Sequence, residues 1–272
     1  MHRIRPRKSL SQNFLRNDRI ARRIVAAVDP QPFDVVVEIG PGEGVLSRLL
    51  AGRVRSLVAV ELDHRCAEHV RDELGPAGVQ VREEDFLATD LSGLSAELGG
   101  CIRVVGNIPY RITSPILFHL LDHRHAVRDA ILMMQREVAR RVVARPRSKD
   151  YGILSVLCQL TADAELLFDV EPGAFFPRPG VTSSVVRVTM AKQPRYALED
   201  EEFFRRMVRA VFGKRRKMLR RSLAFFLGGA PEGMTSIDLK RRPEDLSIRE
   251  LVELSNQLCR HHPRPTLSAR LP

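Results

Sequence analysis

Glycines and carboxylates at three successive points of the chain are the residues best placed to do chemistry. Glu38-Ile39-Gly40-Pro41-Gly42-Glu43-Gly44 lies between an apolar run, residues 34–39, and a helix-like one, residues 45–50. Glycines there let the backbone turn sharply and leave room for a ligand at the carboxyl end of a strand. The spacing is G-x-G-x-G, with Val45 where a dinucleotide fingerprint places its last glycine, so a pyrophosphate cradle is disfavoured. Glu61 comes 21 residues after Gly40, at the end of the next apolar run, where a carboxylate can accept hydrogen bonds from both hydroxyls of a ribose. Asp85 follows the third run and can accept from an adenine amino group. Each acid alone reads more simply as a solvated turn residue or a helix cap. In this order, after three strand ends, they describe a pocket for an adenosine without phosphates, which suits S-adenosylmethionine.

The elements that must position these residues follow from periodicity. Short β-branched runs at residues 34–39, 56–61, 79–82, 102–105 and 129–134 alternate with helical spacers. That alternation predicts βαβ units and a parallel sheet buried on both faces. Past residues 173–179, a run rich in Gly, Phe and Pro, residues 183–190 read as one more strand, paired antiparallel at the end of the sheet. Residues 191–196 read as a linker. Beyond it, apolar residues recur at helical spacing over 201–227, as at Phe204, Val208, Val211, Met218 and Leu219, and again over 246–258. The expected organisation is an α/β domain over residues 1–195 and a small all-α C-terminal domain over 196–272.

Composition bounds the function. With 272 residues, 44% hydrophobic and 28% charged, the chain can build a core and is not a mostly disordered protein. Basic residues outnumber acidic ones 44 to 33, a net charge of +11 that implies an anionic partner; 38 of the 44 are Arg, so an arginine-rich compositional bias is the plainer alternative. No apolar leader follows the basic start and no run of apolar residues is long enough to span a bilayer, so a cytoplasmic, unanchored protein is expected. The four cysteines are scattered without a C-x-x-C, and His119, His123 and His125 lack a carboxylate or cysteine to complete a ligand set. Neither a disulfide framework nor a metal site is expected. Absence of a coiled-coil heptad leaves a monomer as the default.

After the fourth strand comes Gly106-Asn107-Ile108-Pro109-Tyr110. Here the chain resembles the rRNA adenine N6-dimethyltransferases of the KsgA type, and the resemblance extends over nearly its whole length. It includes Ser11-Gln-Asn-Phe-Leu15, the glycine turn, Asn107-Ile-Pro-Tyr110, Gln135-Arg-Glu-Val138, Ser148-Lys-Asp-Tyr-Gly152, Phe175-Phe-Pro-Arg-Pro179 and Phe212-Gly-Lys-Arg-Arg-Lys217. Ile108 stands where many bacterial members carry Leu, a conservative departure. The resemblance implies a Rossmann-like S-adenosylmethionine-dependent methyltransferase sheet. Its implied activity is N6,N6-dimethylation of two adjacent adenines in a hairpin loop near the 3′ end of small-subunit (16S) rRNA, in a pre-ribosomal particle.

The chemistry accounts for the residue types in this motif. Adenine's exocyclic amine is a poor nucleophile, so a site must favour pyramidal nitrogen and align it with the sulfonium methyl. The Asn107 amide oxygen and the Ile108 carbonyl can each hold an amino proton, while Pro109 stiffens the turn that aims them. An anion at that spot would stabilise the sulfonium ground state more than the transition state, so no general base is assigned. Tyr110 is expected to stack on the flipped-out adenine. Phe175 can cover the other face, or serve only as a packing residue. By resemblance Gln12, Asn13 and Leu15 close over the cofactor alongside Gly40, Gly42, Glu61, Asp85 and Asn107; on its own Ser11-Gln12-Asn13 reads as a helix N-cap.

From residue 205 to 221 there are nine basic side chains and no acid: Arg205, Arg206, Arg209, Lys214, Arg215, Arg216, Lys217, Arg220 and Arg221. Residues 1–23 hold eight more against one Asp, so the two stretches supply 17 of the 44 cations. An isolated basic run is usually a solvated face; this concentration is read as contacts to an RNA backbone. Three other readings share parts of the pattern. A relative that methylates an adenine of large-subunit (23S) rRNA and confers macrolide resistance has the same fold and tetrapeptide. An assembly factor that has lost catalysis keeps only the fold, and a dehydrogenase is disfavoured by Val45 and the basic tail.

Overall fold

The computed structural model describes residues 4–215 and 217–261. In chain order the elements begin with β1 (Phe14–Leu15), α1 (Asp18–Val28), β2 (Val35–Ile39), α2 (Val45–Leu50), β3 (Ser56–Glu61), α3 (His64–Leu74) and β4 (Val79–Glu83). There follow α4 (Leu91–Glu97), β5 (Ile102–Asn107), α5 (Thr113–Asp122), β6 (Val127–Gln135), α6 (Arg136–Val143), α7 (Ile153–Thr161), β7 (Ala162–Val170), β8 (Phe175–Phe176) and β9 (Ser183–Met190). Three helices close the described chain: α8 (Glu201–Gly213), α9 (Leu219–Leu227) and α10 (Ile248–His261).

The five β-branched runs make a parallel sheet whose inner strands are covered on both faces: every residue of β2 is buried, as are five of the six in β3 and in β5, while in β4 at the edge only Val79 is buried. The seven-stranded order is β4-β3-β2-β5-β6-β9-β7, with β9 antiparallel to both of its neighbours. β7 was absent from the sequence reading, whereas β9 is the expected antiparallel strand, lying one place in from the edge. The chain leaves β2 toward β3 on one side and enters β5 on the other, so the topological switch point lies between the carboxyl ends of β2 and β5. At the opposite end Arg103 on β5 is buried between Asp34 (2.8 Å) and Asp129 (2.7 Å), tying β5 to the start of β2 and to β6. Among the described residues no helix is long and apolar enough to cross a membrane.

The chain divides into two compact units. One comprises residues up to Val143 together with Thr161–Lys192; the other comprises Ala144–Leu160 and the chain from Gln193 on. Residues 144–160, placed by sequence in the α/β domain, thus group with the helical part. In that second unit Tyr151 is fully buried, donates its hydroxyl to the Leu246 carbonyl (3.2 Å) and packs edge-on against Phe212 of α8. The basic run does not lie on one helix: α8 ends at Gly213 and α9 starts at Leu219.

Candidate active site

A cavity of about 240 Å³ opens at the carboxyl ends of β2, β3, β4 and β5, on the switch point. Gln12, Asn13, Gly40, Gly42, Glu61, Asp85, Asn107, Ile108, Pro109 and Tyr110 all line it. Leu15 and Phe175 do not.

The glycine turn is built by backbone conformation. Gly40, Gly42 and Gly44 have φ of +58°, +57° and +73°, the left-handed region where a side chain is strained. At Gly42 a Cβ would also stand 2.8 Å from the Phe14 ring, so the bare backbone is what lets β1 pack over the turn. The Gly42 N–H donates to Glu61 Oε2 (3.1 Å) and the Asp63 N–H to Oε1 (2.9 Å), which fixes the carboxylate while leaving lone pairs for a ligand. Burial raises the Glu61 pKa, and these backbone donors offset part of the rise. One strand away, burial of Glu38 pushes its carboxyl up to about 7, against a hydrogen bond from the Ser47 hydroxyl, and the nearby Glu61 charge adds to the rise. Asp85 caps a short 3₁₀ turn by accepting from the Leu87 N–H (2.9 Å) and is exposed at the mouth.

Residues 9–14 form one wall of the cavity. Gln12 Nε2 donates to Asp63 Oδ2 (2.9 Å), and the Arg7 N–H donates to Gln12 Oε1 (2.7 Å). Asp63 caps α3 and is held down to about pKa 2 by Arg65, with help from Gln12 and Arg7. Arg111 reaches the Ser9 carbonyl at 3.3 Å. The cap of α1 is Asn17, whose side chain accepts from the Ile20 N–H (3.1 Å), so Ser11-Gln12-Asn13 is not that helix's N-cap.

Asn107, the last residue of β5, donates Nδ2 to the main-chain carbonyl of Asn13 at 2.8 Å. A carbonyl only accepts, so this bond fixes which end of the amide is the N–H end. Oδ1 is the other end. The Ile108 N–H is held by the Met133 carbonyl (3.1 Å) and its side chain is buried. Gly106 is required one step earlier, because a Cβ there would meet the Ile39 carbonyl at 2.9 Å. Tyr110 shares a 2.7 Å hydroxyl hydrogen bond with Ser183 of β9; burial raises its pKa and that bond partly offsets the rise.

Two expected site residues lie elsewhere. β1 pairs antiparallel with β8, setting Leu15 against Phe175, and both side chains are buried in the main hydrophobic cluster. With Phe175 only 5% exposed, its ring offers no face to a base; the exposed neighbour is Phe176, over which Arg16 stacks at 4.2 Å. Phe14, Asp63, Ser183 and Arg111 were missed by the sequence reading. Asp63, an acid at the start of a helix, and Phe14, inside the Ser11–Leu15 motif, carried signals that could have found them.

In the second unit the expected RNA contacts divide. Arg205 pairs with Glu201 at 2.9 Å along α8, and Arg215 is tied to Glu244 and to the Lys149 (2.6 Å) and Ser148 (3.0 Å) carbonyls. Arg215 therefore holds the unit together, in place of the exposed phosphate contact expected of it. Arg206, Arg209, Lys214, Lys217, Arg220 and Arg221 are exposed, and Arg216 lies outside the described residues.

The sheet order and the glycine turn over a cavity at the switch point define a Rossmann-like methyltransferase. The profile of the family described as "Ribosomal RNA adenine dimethylase" matches residues 3–259. The chain belongs to that family. It is similar to Ribosomal RNA small subunit methyltransferase A of Salinibacter ruber, 45% identical over 259 residues that cover 94% of this chain and 86% of that one. It is also similar to the protein of the same name in Aromatoleum aromaticum, 40% identical over 265 residues, with coverage of 97% and 98%. Among solved structures, a dimethyladenosine transferase from Plasmodium falciparum shares the fold, with a TM-score of 0.73 at 22% identity, covering 89% of this chain and 95% of that one. The 23S rRNA methyltransferase ErmE follows with a TM-score of 0.63 at 27% identity, covering 90% and 99%.

Proposed function

We propose that the chain transfers methyl groups from S-adenosylmethionine to the N6 amines of two adjacent adenines in small-subunit rRNA, acting as a cytoplasmic monomer on a ribosomal precursor. The observation that carries this reading is the neutral corner at residues 107–110 beside an adenosine-sized cavity. The cavity's charged lining supports the cofactor: among the described residues that line it, Glu61, Glu84 and Asp85 stand against Arg111 alone. Such a lining repels a pyrophosphate and favours a ligand carrying sulfonium and ammonium charges. When bound, S-adenosylmethionine supplies an electrophilic methyl on that sulfonium. Glu61 would accept from the ribose hydroxyls and Asp85 from the adenine amine of the cofactor, while the left-handed glycines leave space beside it.

Asn107 Oδ1 and the Ile108 carbonyl would take the two protons of the target amine, drawing its nitrogen out of conjugation. The bond from Asn107 Nδ2 to the Asn13 carbonyl favours this role, since it leaves the acceptor end of the amide for the base. Tyr110, pinned through Ser183, would give the base a fixed stacking face. The cations of the second unit would hold the RNA backbone.

The relatives named for the small subunit, at 40–45% identity, favour that substrate over the 23S rRNA for which ErmE is named, at 27%. Incubation with labelled S-adenosylmethionine should place methyls on purified small-subunit precursors. Labelling of naked large-subunit RNA alone would assign the other substrate.

A further inference from the structure

Phe225 is the most exposed large apolar side chain among the described residues, at 75%. It sits on α9, whose inward positions Leu219, Ser222 and Leu223 are buried. The outward face carries Met218, 42% exposed, then Arg221, then Phe225, at the three- and four-residue spacing that sets side chains in line. The ring is not left to itself: Lys214 Nζ lies 3.4 Å from its centroid and covers one face. Otherwise the side chain stands largely exposed among the described residues. Arg221, one turn earlier on α9, and Lys217, just before the helix, are exposed and have no acidic partner among the described residues, and Arg220 reaches Glu232 only at 3.9 Å.

An exposed aromatic ring among unneutralised cations is the arrangement that binds single-stranded nucleic acid, where bases stack on the ring and phosphates meet the basic side chains. An apolar protein partner would find one ring and one methionine amid cations, a poor match. Duplex RNA would offer only phosphates and sugar edges, because its bases are already stacked. We propose that Phe225 is a stacking platform for an unpaired RNA base, with Lys214 bracing the ring from behind and Lys217 and Arg221 taking the flanking phosphates. This deepens the reading of the helical unit as an RNA-binding unit and rests on it.

The chain contains no tryptophan, so Phe225→Trp introduces a single reporter at the platform. The full chain is titrated with a hairpin RNA bearing a purine-rich unpaired loop and with a blunt duplex of the same length. Saturable quenching of the tryptophan by the hairpin and none by the duplex is the expected result. Phe225→Ala should bind the hairpin about tenfold more weakly, with duplex affinity and the salt dependence unchanged. Hairpin binding at wild-type affinity without any change in emission would overturn the proposal while leaving the RNA reading intact. A wild-type chain that binds neither RNA would remove both. Sedimentation showing a dimer that Phe225→Ala dissolves would give the ring to a second copy of this chain instead.

Discussion

At Asn107 one amide is given two tasks, donating to a main-chain carbonyl on one side and accepting from the substrate on the other. Asn107→Ala should lower methyl transfer by about 10²–10³-fold, with cofactor affinity within about tenfold, as measured by single-turnover kinetics and calorimetry. Asn107→Asp should be no better, because a carboxylate has no N–H for the Asn13 carbonyl and sets an anion beside the sulfonium. Glu38 gives a pH signature. Its carboxyl titrates near 7 when folded and near 4.5 when unfolded, so the folded state binds the extra proton and stability falls as pH rises from about 4.5 to 7. Asp63, held down to about 2, is charged in both states across that window and adds no slope. Glu38→Gln should therefore gain about 3 kcal/mol over wild type at pH 8 and close to nothing at pH 4, read from urea midpoints. Gly40, Gly42, Glu61 and Asp85 were legible as lining residues because strand-end acids and glycines carry their chemistry in their type, whereas Gln12, Asn13 and residues 107–110 were legible through the family motifs. The burial of Glu38 was not, since a glutamate inside an apolar run looks the same whether its neighbour across the strands is Glu61 or water.

Among the elements, the glycine turn and the two-residue strand β1 depend on each other through Gly42 and Phe14. Gly42→Ala combines a left-handed φ of +57° with a Cβ 2.8 Å from the Phe14 ring. It should destabilise the fold by about 1–2 kcal/mol and weaken cofactor binding about tenfold, checked by denaturation and by direct titration. Five parallel strands were readable from their β-branched runs, and β9 from its own. β7 was not, for a definite reason: α7 ends at Thr161 and β7 begins at Ala162, with no glycine, proline or other turn residue to mark the change. A register shift between Leu166 and Phe168 also breaks its alternation. Leu15 and Phe175 illustrate a second limit. Their motifs look like site residues, yet the β1–β8 pairing that buries both joins positions some 160 apart in the chain, which no local pattern encodes.

For the whole molecule, charge sets the conditions of binding. If the helical unit holds RNA through phosphates, the slope of log affinity against log salt should become shallower by about one for each of Lys217→Ala and Arg221→Ala. Arg215→Ala belongs to a different class, since it breaks the tie to Glu244 and should lower stability in a denaturation experiment. The grouping of residues 144–160 with the helical unit was invisible to composition, because it arises from contacts such as Tyr151 with Phe212 across some sixty residues of chain. The wall formed by residues 9–14 has a last consequence. It is fastened by bonds from Gln12 to Asp63, from Asn107 to Asn13 and from Arg111 to Ser9. Adding two methyls to one base consumes two donor molecules, so spent donor must leave and fresh donor enter between rounds. If that exchange passes this wall, its fastenings set the tempo of the second round, and one of them, through the Asn107 amide, also sets the acceptor corner for the base.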